Sequence, residues 1–160
     1  LGGVYKLSGI EKDGEIVAKI KISNDPRKIN NPGYKQVFRL YDKDNGMALA
    51  DLIALDEESI DESAPLEIFH PLYTYKRKIL TNFSAHKLLH PVFKEGKFVG
   101  TRRTVSEIAR FSKEQKSKCW LEHLRNVHPQ SYKVDLSQKL WDIRKSLINE
   151  CNLNLKEKYV

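Results

Sequence analysis

The first third of the chain contains runs rich in strand-forming residues, with apolar residues at alternate positions 16, 18, 20 and 22, and this pattern predicts antiparallel β-strands. Two pairs of such runs each flank a dipeptide that favours a tight hairpin turn. The runs and turns are 4–10, Asp13-Gly14 and 16–22, and then 36–41, Asn45-Gly46 and 47–55. The pattern therefore predicts two antiparallel hairpins within residues 1–55, with a loop rich in Pro, Gly and Asn between them.

Residues 56–67 carry six acidic side chains and no basic one. We interpret 56–65 as a solvated acidic linker between a hairpin lobe, 1–55, and a second lobe, 66–160. The same carboxylates could bind a cation, although a solvated loop is the simpler interpretation. Short strands are predicted on either side of His70-Pro71, at 66–69 and 76–80, and a small hairpin at 93–99.

The last third of the chain has helical periodicity. Thr104 and Glu107 have the spacing of a capping box, and apolar residues follow at positions 105, 108 and 111. We expect this helix to continue, through a polar middle, as far as His128-Pro129. A final helix is predicted to begin near Asp135, with an apolar stripe at 136, 140, 143 and 147. The predicted fold class is α+β: hairpins first, a mixed segment next, and two C-terminal helices.

The composition fits a folded globular protein. Of 160 residues, 40% are apolar and 31% are charged, enough for one compact domain or two small lobes. No apolar run approaches the ~20 residues of a membrane-spanning helix. The chain lacks both an initiator Met and a signal sequence, so we expect a cytoplasmic protein and a fragment of a longer chain.

Few residues are spaced for catalysis or for metal binding. Cys119 and Cys151 are far apart at apolar or helix-end positions, which favours packing over a thiolate nucleophile or a zinc site. His86 and His90 have the i, i+4 spacing of two metal ligands, but Pro91 argues against a helix there. The sequence therefore predicts no catalytic residue and no metal site.

The net charge of +7 favours an anionic partner. Residues 19–39 hold much of this charge, with six basic side chains against one acidic one. Strand alternation would place Lys19 and Lys21 on one face, and loop lysines at 28 and 35 could reach a phosphate as point charges. A solvated basic face is the alternative.

Several short strings, in this order along the chain, resemble the C-terminal part of nicotinate phosphoribosyltransferase. They are GVYKL at 3–7, KISNDPRK at 21–28, PGYK at 32–35 and FRL at 38–40. The segment from Tyr132 to Leu140, just after His128-Pro129, is similar to that family's closing motif. The resemblance covers essentially the whole chain.

The resemblance implies an enzyme that joins nicotinate to phosphoribosyl pyrophosphate (PRPP), with ATP and Mg²⁺, to make nicotinate mononucleotide for NAD salvage. In that family an N-terminal β-rich lobe and an α/β barrel precede the C-terminal region. The barrel carries the phosphorylated catalytic histidine and the carboxylates that bind ribose. These parts would precede Leu1, so the chain alone is expected to bind no cofactor and to turn over no nicotinate.

The expected partners are the missing N-terminal and barrel domains and a second protomer in a homodimer. The N-terminal lobe would pair with the first hairpins, which would expose apolar surface without it. Neither a membrane nor a nucleic acid is expected as a partner.

In this family, lysines after the barrel lie near the phosphates of the nucleotide or of PRPP. The position match is best for Lys28; Lys19, Lys21, Lys35 and Arg39 are weaker candidates. Two other functions are open. The charge would suit a nucleic-acid-binding module, but aromatic residues are not interleaved with the lysines as stacking platforms. A purely structural scaffold with no ligand contact is the other alternative.

Overall fold

The computed structural model describes residues 3–158, with side chains to residue 152. That range contains ten β-strands of two to eight residues and three α-helices. They are β1 (Gly9–Lys12), β2 (Glu15–Ala18), β3 (Lys35–Asp42), β4 (Ala48–Leu55), β5 (Leu66–Phe69), β6 (Arg77–Leu80), β7 (Phe83–Lys87), β8 (Phe93–Lys94), β9 (Lys97–Phe98), α1 (Val105–Ser117), α2 (Leu121–Leu124), β10 (Val134–Leu136) and α3 (Gln138–Lys158). No helix in this range is long and apolar enough to span a bilayer.

A six-stranded sheet organises the fold, in the order β6-β5-β10-β4-β3-β7. All neighbours are antiparallel except β10 and β4, which are parallel. The long hairpin β3–β4 lies within this sheet, where β3 alternates buried and less buried positions up to Leu40 and β4 is mostly buried. In this hairpin Phe38 pairs with Leu52, and both are buried. The predicted α+β fold class is confirmed.

The core lies against this sheet in two clusters. One contains Leu40, Leu52, Ile68 and Phe83, each no more than 1% exposed. In the other, Leu55 and Leu136 pack with Leu140 of α3. Burying apolar side chains from strands that are distant in sequence is what holds the sheet together.

The predicted hairpins β3–β4 and β8–β9 are present. The short strands predicted at 66–69 and 76–80 correspond to β5 and β6, which pair with each other. The first hairpin is shorter than the sequence pattern suggests. Asp13 and Gly14 do form its turn, with φ of 53° and 81°. However, β1 and β2 are four residues each and pair only with one another. Because no third strand adds backbone hydrogen bonds to this two-stranded ribbon, its strands stay short.

The acidic segment 56–65, predicted as a linker between two lobes, lies between strands of one sheet. Strands β3 and β4 before it and β5, β6, β7 and β10 after it share the central sheet. Glu58 Oε1 accepts hydrogen bonds from Leu55 N and Ser137 Oγ, both at 2.7 Å. Glu62 accepts one from Ala85 N at 2.8 Å. These carboxylates are used to join strands that come from both sides of the segment.

The helical third also differs from the prediction. The capping box of Thr104 and Glu107 is present. However, α1 ends at Ser117 and not at His128-Pro129, because the polar run 112–118 gives the helix no buried face. Asp135 is not a helix cap: it lies in β10 with its side chain 0% exposed, and Lys133 Nζ is 2.8 Å from Oδ2. Ser137 caps α3 instead, since its Oγ accepts from Leu140 N at 3.2 Å.

Strand β7 was not predicted. It pairs with β3 and completes the sheet at that edge. Only Phe83 of its five residues is buried, so the local pattern of apolar residues carries almost no strand signal.

Candidate functional site

The basic residues 19–39 lie on a surface that begins where β2 ends. Because β2 stops at Ala18, Lys19 and Lys21 follow the strand and do not share a strand face, contrary to the predicted alternation. Their backbone amides are still held: Lys19 N donates to Ser8 O at 2.9 Å, and Lys21 N donates to Asn30 Oδ1 at 2.7 Å. Both side chains are exposed.

Asn30 joins the three segments that carry these lysines. Its Nδ2 donates to Leu7 O at 3.2 Å and to Lys19 O at 3.4 Å, while its Oδ1 accepts from Lys21 N. One side chain therefore fixes the spacing of segments 6–8, 19–21 and 28–33 by backbone contacts. Sequence reasoning missed this residue because an Asn in a loop rich in Asn, Pro and Gly carries no distinct signal.

Lys28 ends a 3₁₀-helix at Pro26–Lys28. Asp25 caps this helix by accepting from Arg27 N, and its carboxylate is also bound by the Arg27 guanidinium at 3.0 Å on each oxygen. Asp25 therefore does not neutralise Lys28. Among the described side chains, no carboxylate lies within 4 Å of the exposed Lys28 ammonium, and the Lys28 carbonyl accepts from Lys6 Nζ.

A groove of about 500 Å³ lies next to these segments. Lys6, Asn30, Asn31 and Lys35 all line it. Lys35 is half-buried, its Nζ donates to Gly33 O at 2.6 Å, and burial lowers the pKa of its ammonium group. A partly desolvated lysine beside a second one interacts strongly with an anion. Lys6 lies outside the basic window of the sequence, so only the fold brings it to this groove.

The lowered pKa of Lys35 gives a test in solution. Between that pKa and the ordinary value of 10.5, the unfolded chain binds more protons than the folded chain. The free energy of unfolding is therefore expected to rise with pH across that window, and Lys35→Met should remove this rise. Urea unfolding at several alkaline pH values up to 10.5 measures it. An unchanged slope in Lys35→Met would contradict the burial.

Arg39 is engaged within the sheet. Its Nε and one terminal nitrogen bind the two oxygens of Asp51 at 2.8 Å and 2.9 Å, and Tyr132 OH donates to Asp51 at 3.1 Å. This ion pair raises the pKa of Arg39, and burial is the main cause that raises the pKa of Tyr132. Arg39 therefore differs from the candidate lysines, because its charge is already paired with Asp51. A lone carboxylate in the apolar run 48–55 is the sequence signal that could have predicted this buried pair.

The described residues bring no three of His, Cys, Asp and Glu together as a set of metal ligands. Cys119 and Cys151 are not joined in a disulfide and are partly buried. The chemistry that this surface can offer is electrostatic: ammonium groups, loop amides and asparagine side chains.

A family model of the nicotinate phosphoribosyltransferase C-terminal domain matches residues 34–144. A nicotinate phosphoribosyltransferase of Bacillus subtilis is 36% identical over 157 residues, covering 98% of this chain and 32% of that protein. The enzyme of Dictyostelium discoideum is 33% identical, covering 89% of this chain and 25% of that protein. A crystal structure of human nicotinic acid phosphoribosyltransferase superposes with a TM-score of 0.66 at 26% identity, over 73% of this chain and 23% of that one.

The chain thus spans a third or less of the relatives that it matches. The matched residues include the central hairpin, the Arg39–Asp51 pair and the strand that leads into α3. On this evidence the chain belongs to the nicotinate phosphoribosyltransferase C-terminal domain family.

Proposed function

We propose that this chain is the C-terminal domain of an enzyme that makes nicotinate mononucleotide from nicotinate and PRPP with ATP and Mg²⁺. The observation that carries the proposal is that 98% of the chain aligns with only 32% of the Bacillus subtilis enzyme. In this proposal the catalytic histidine and the ribose-binding carboxylates belong to a barrel in the rest of the enzyme. The cytoplasm is the proposed location, and a homodimer is the proposed assembly.

The first hairpin and the segment that precedes it support a further part of this proposal, namely that an N-terminal lobe pairs with them. Val4 and Tyr5, before β1, are 91% and 84% exposed, and Ile16 of β2 is 50% exposed. Large apolar side chains left in water are typical of a surface that another part of the protein covers.

We assign a phosphate-facing role to the lysines of the basic surface. Lys28, Lys19 and Lys21 are exposed, and Asn30 holds their backbone segments together. Transfer of phosphoryl and pyrophosphoryl groups depends on positioning and on neutralising anionic oxygens. Lys35 would act from within the groove, whereas Arg39 would stabilise the sheet beneath because Asp51 already occupies two of its donors.

The first test of this function is turnover. The purified chain is expected to form no nicotinate mononucleotide from nicotinate, PRPP and ATP. A chimera in which it replaces the 157 aligned residues of the Bacillus subtilis enzyme is expected to be active. Product from the chain alone would contradict its dependence on a barrel. A folded but inactive chimera would contradict its role as this domain.

The second test concerns Lys28. In the chimera, Lys28→Ala is expected to raise the KM for PRPP or ATP by about tenfold, the effect of losing ~1.4 kcal/mol of binding. Lys94→Ala, which removes an exposed lysine from strand β8, should leave both constants within about twofold. Unchanged constants in the Lys28 variant would leave only a scaffold role for the basic surface.

A further inference from the structure

A cavity of about 450 Å³ lies beside the start of α1 and shares no lining residue with the groove of Lys6 and Lys35. Three arginines, Arg102, Arg103 and Arg110, line it together with Thr101. Its volume is within the range of small-molecule sites. The proposed phosphoribosyl transfer leaves these arginines without a role.

Two of the three guanidinium groups are held in place by aromatic rings. The Arg102 guanidinium carbon is 5.5 Å from the ring centroid of Phe98, and that of Arg103 is 4.9 Å from the ring centroid of Phe111. Neither arginine has a carboxylate within 4 Å among the described side chains. A cation–π contact restrains each guanidinium and leaves its N–H groups available to bind an oxyanion in a bidentate manner.

Two acidic residues, Glu107 and Glu114, also line the cavity, and each already has a partner. Glu107 accepts from Thr104 N at 2.7 Å and from Thr104 Oγ1 at 2.9 Å in the capping box. Glu114 lies 3.9 Å from Arg110, and both side chains are well exposed, so this pair is weak. Arg110 can therefore turn to an incoming anion at little cost.

The surroundings add positive charge. Residues 86–118 contain nine Lys and Arg and three Glu, a net charge of +6 out of the chain's +7. No residue in this range is buried. The field at the cavity therefore favours anions, and the three arginines provide the directional hydrogen bonds.

We propose that this cavity binds a small phosphate-bearing anion through Arg102, Arg103 and Arg110, with the Thr101 hydroxyl as a further donor. The shared chemistry is the phosphoryl oxygen, which both a free inorganic phosphate and the phosphate chain of a nucleotide present. This site does not depend on the proposed function of the basic surface, since the two are lined by different residues.

Calorimetric titration of the full 160-residue chain with inorganic pyrophosphate tests the proposal, with orthophosphate and ATP as parallel titrations that distinguish the sources. Saturable binding is expected. Arg102→Gln and Arg103→Gln should each raise the Kd by about tenfold or more, since a charge-assisted hydrogen bond contributes ~1.5 to 3 kcal/mol. Lys113→Gln, the same charge change on α1 outside the cavity lining, should stay within about twofold.

A variant that binds more tightly would show that the arginine variants lose affinity through the site and not through unfolding. Glu114→Gln removes the carboxylate that competes for Arg110 and should lower the Kd for pyrophosphate by about threefold. Glu95→Gln, the same charge change on the β8–β9 turn, should leave the Kd for pyrophosphate unchanged. The proposal is overturned if no saturable binding occurs, if Lys113→Gln weakens it as much as Arg103→Gln, or if only an oligonucleotide or an anionic vesicle binds.

Discussion

Asp51→Asn is expected to lower the free energy of unfolding by about 3 kcal/mol or more, because it breaks a largely buried ion pair and leaves one charge without its partner. The Asp51 and Arg39 side chains are 12% and 24% exposed, and they are joined by two hydrogen bonds. An amide cannot accept both bonds from the guanidinium. Urea unfolding followed by tryptophan fluorescence measures the loss.

Two variants control this prediction. Tyr132→Phe removes only the 3.1 Å hydrogen bond to Asp51 and should cost about 1 kcal/mol. The double variant Arg39→Met with Asp51→Leu replaces the pair by apolar side chains and should recover most of the loss. If Asp51→Asn and Tyr132→Phe cost the same, the ion pair does not stabilise the sheet.

Phe83→Ala is expected to destabilise the chain by about 3 to 5 kcal/mol, through lost burial and the cavity left behind. Phe83 is 0% exposed and belongs to the same core cluster as Leu40 and Ile68. Its strand, β7, is an edge strand that pairs with β3, with Asp42 opposite Phe83. The loss should therefore also release the sheet edge, which amide hydrogen exchange of residues 83–87 would detect.

The matched control is Phe98→Ala. Phe98 lies on β9, is 42% exposed and contacts the ring of Phe93, with ring centroids 5.5 Å apart. Its replacement should cost less than about 1 kcal/mol. Equal losses for the two variants would mean that β7 is not anchored by its buried phenylalanine.

The candidate site shows where sequence reasoning stopped. Lys28, Lys19 and Lys21 were found because they are close together along the chain, and all three are exposed in the structure. Lys35 was found as a loop lysine, yet its half-buried position in a groove was not predictable. Lys6, Asn30 and Asp51 were missed, since each acquires its role from a partner 12 or more residues away or from the groove itself.

The amino-acid sequence by itself determined the elements whose signals are local. The β3–β4 hairpin follows from alternation around Asn45-Gly46, and the start of α1 follows from the capping box of Thr104 and Glu107. These signals are local because a turn or a cap is stabilised by residues within a few positions of one another.

Only the tertiary structure decided which strands share a sheet and which charges meet. Strand β10 enters between β4 and β5, more than 60 residues after either of them ends, and so converts a predicted helix start into a buried strand. The same folding pairs Arg39 with Asp51 and leaves Arg102 and Arg103 without a carboxylate partner among the described side chains. Burial of apolar surface is non-directional and acts between any segments that can reach one another, so it leaves no periodic mark in the sequence.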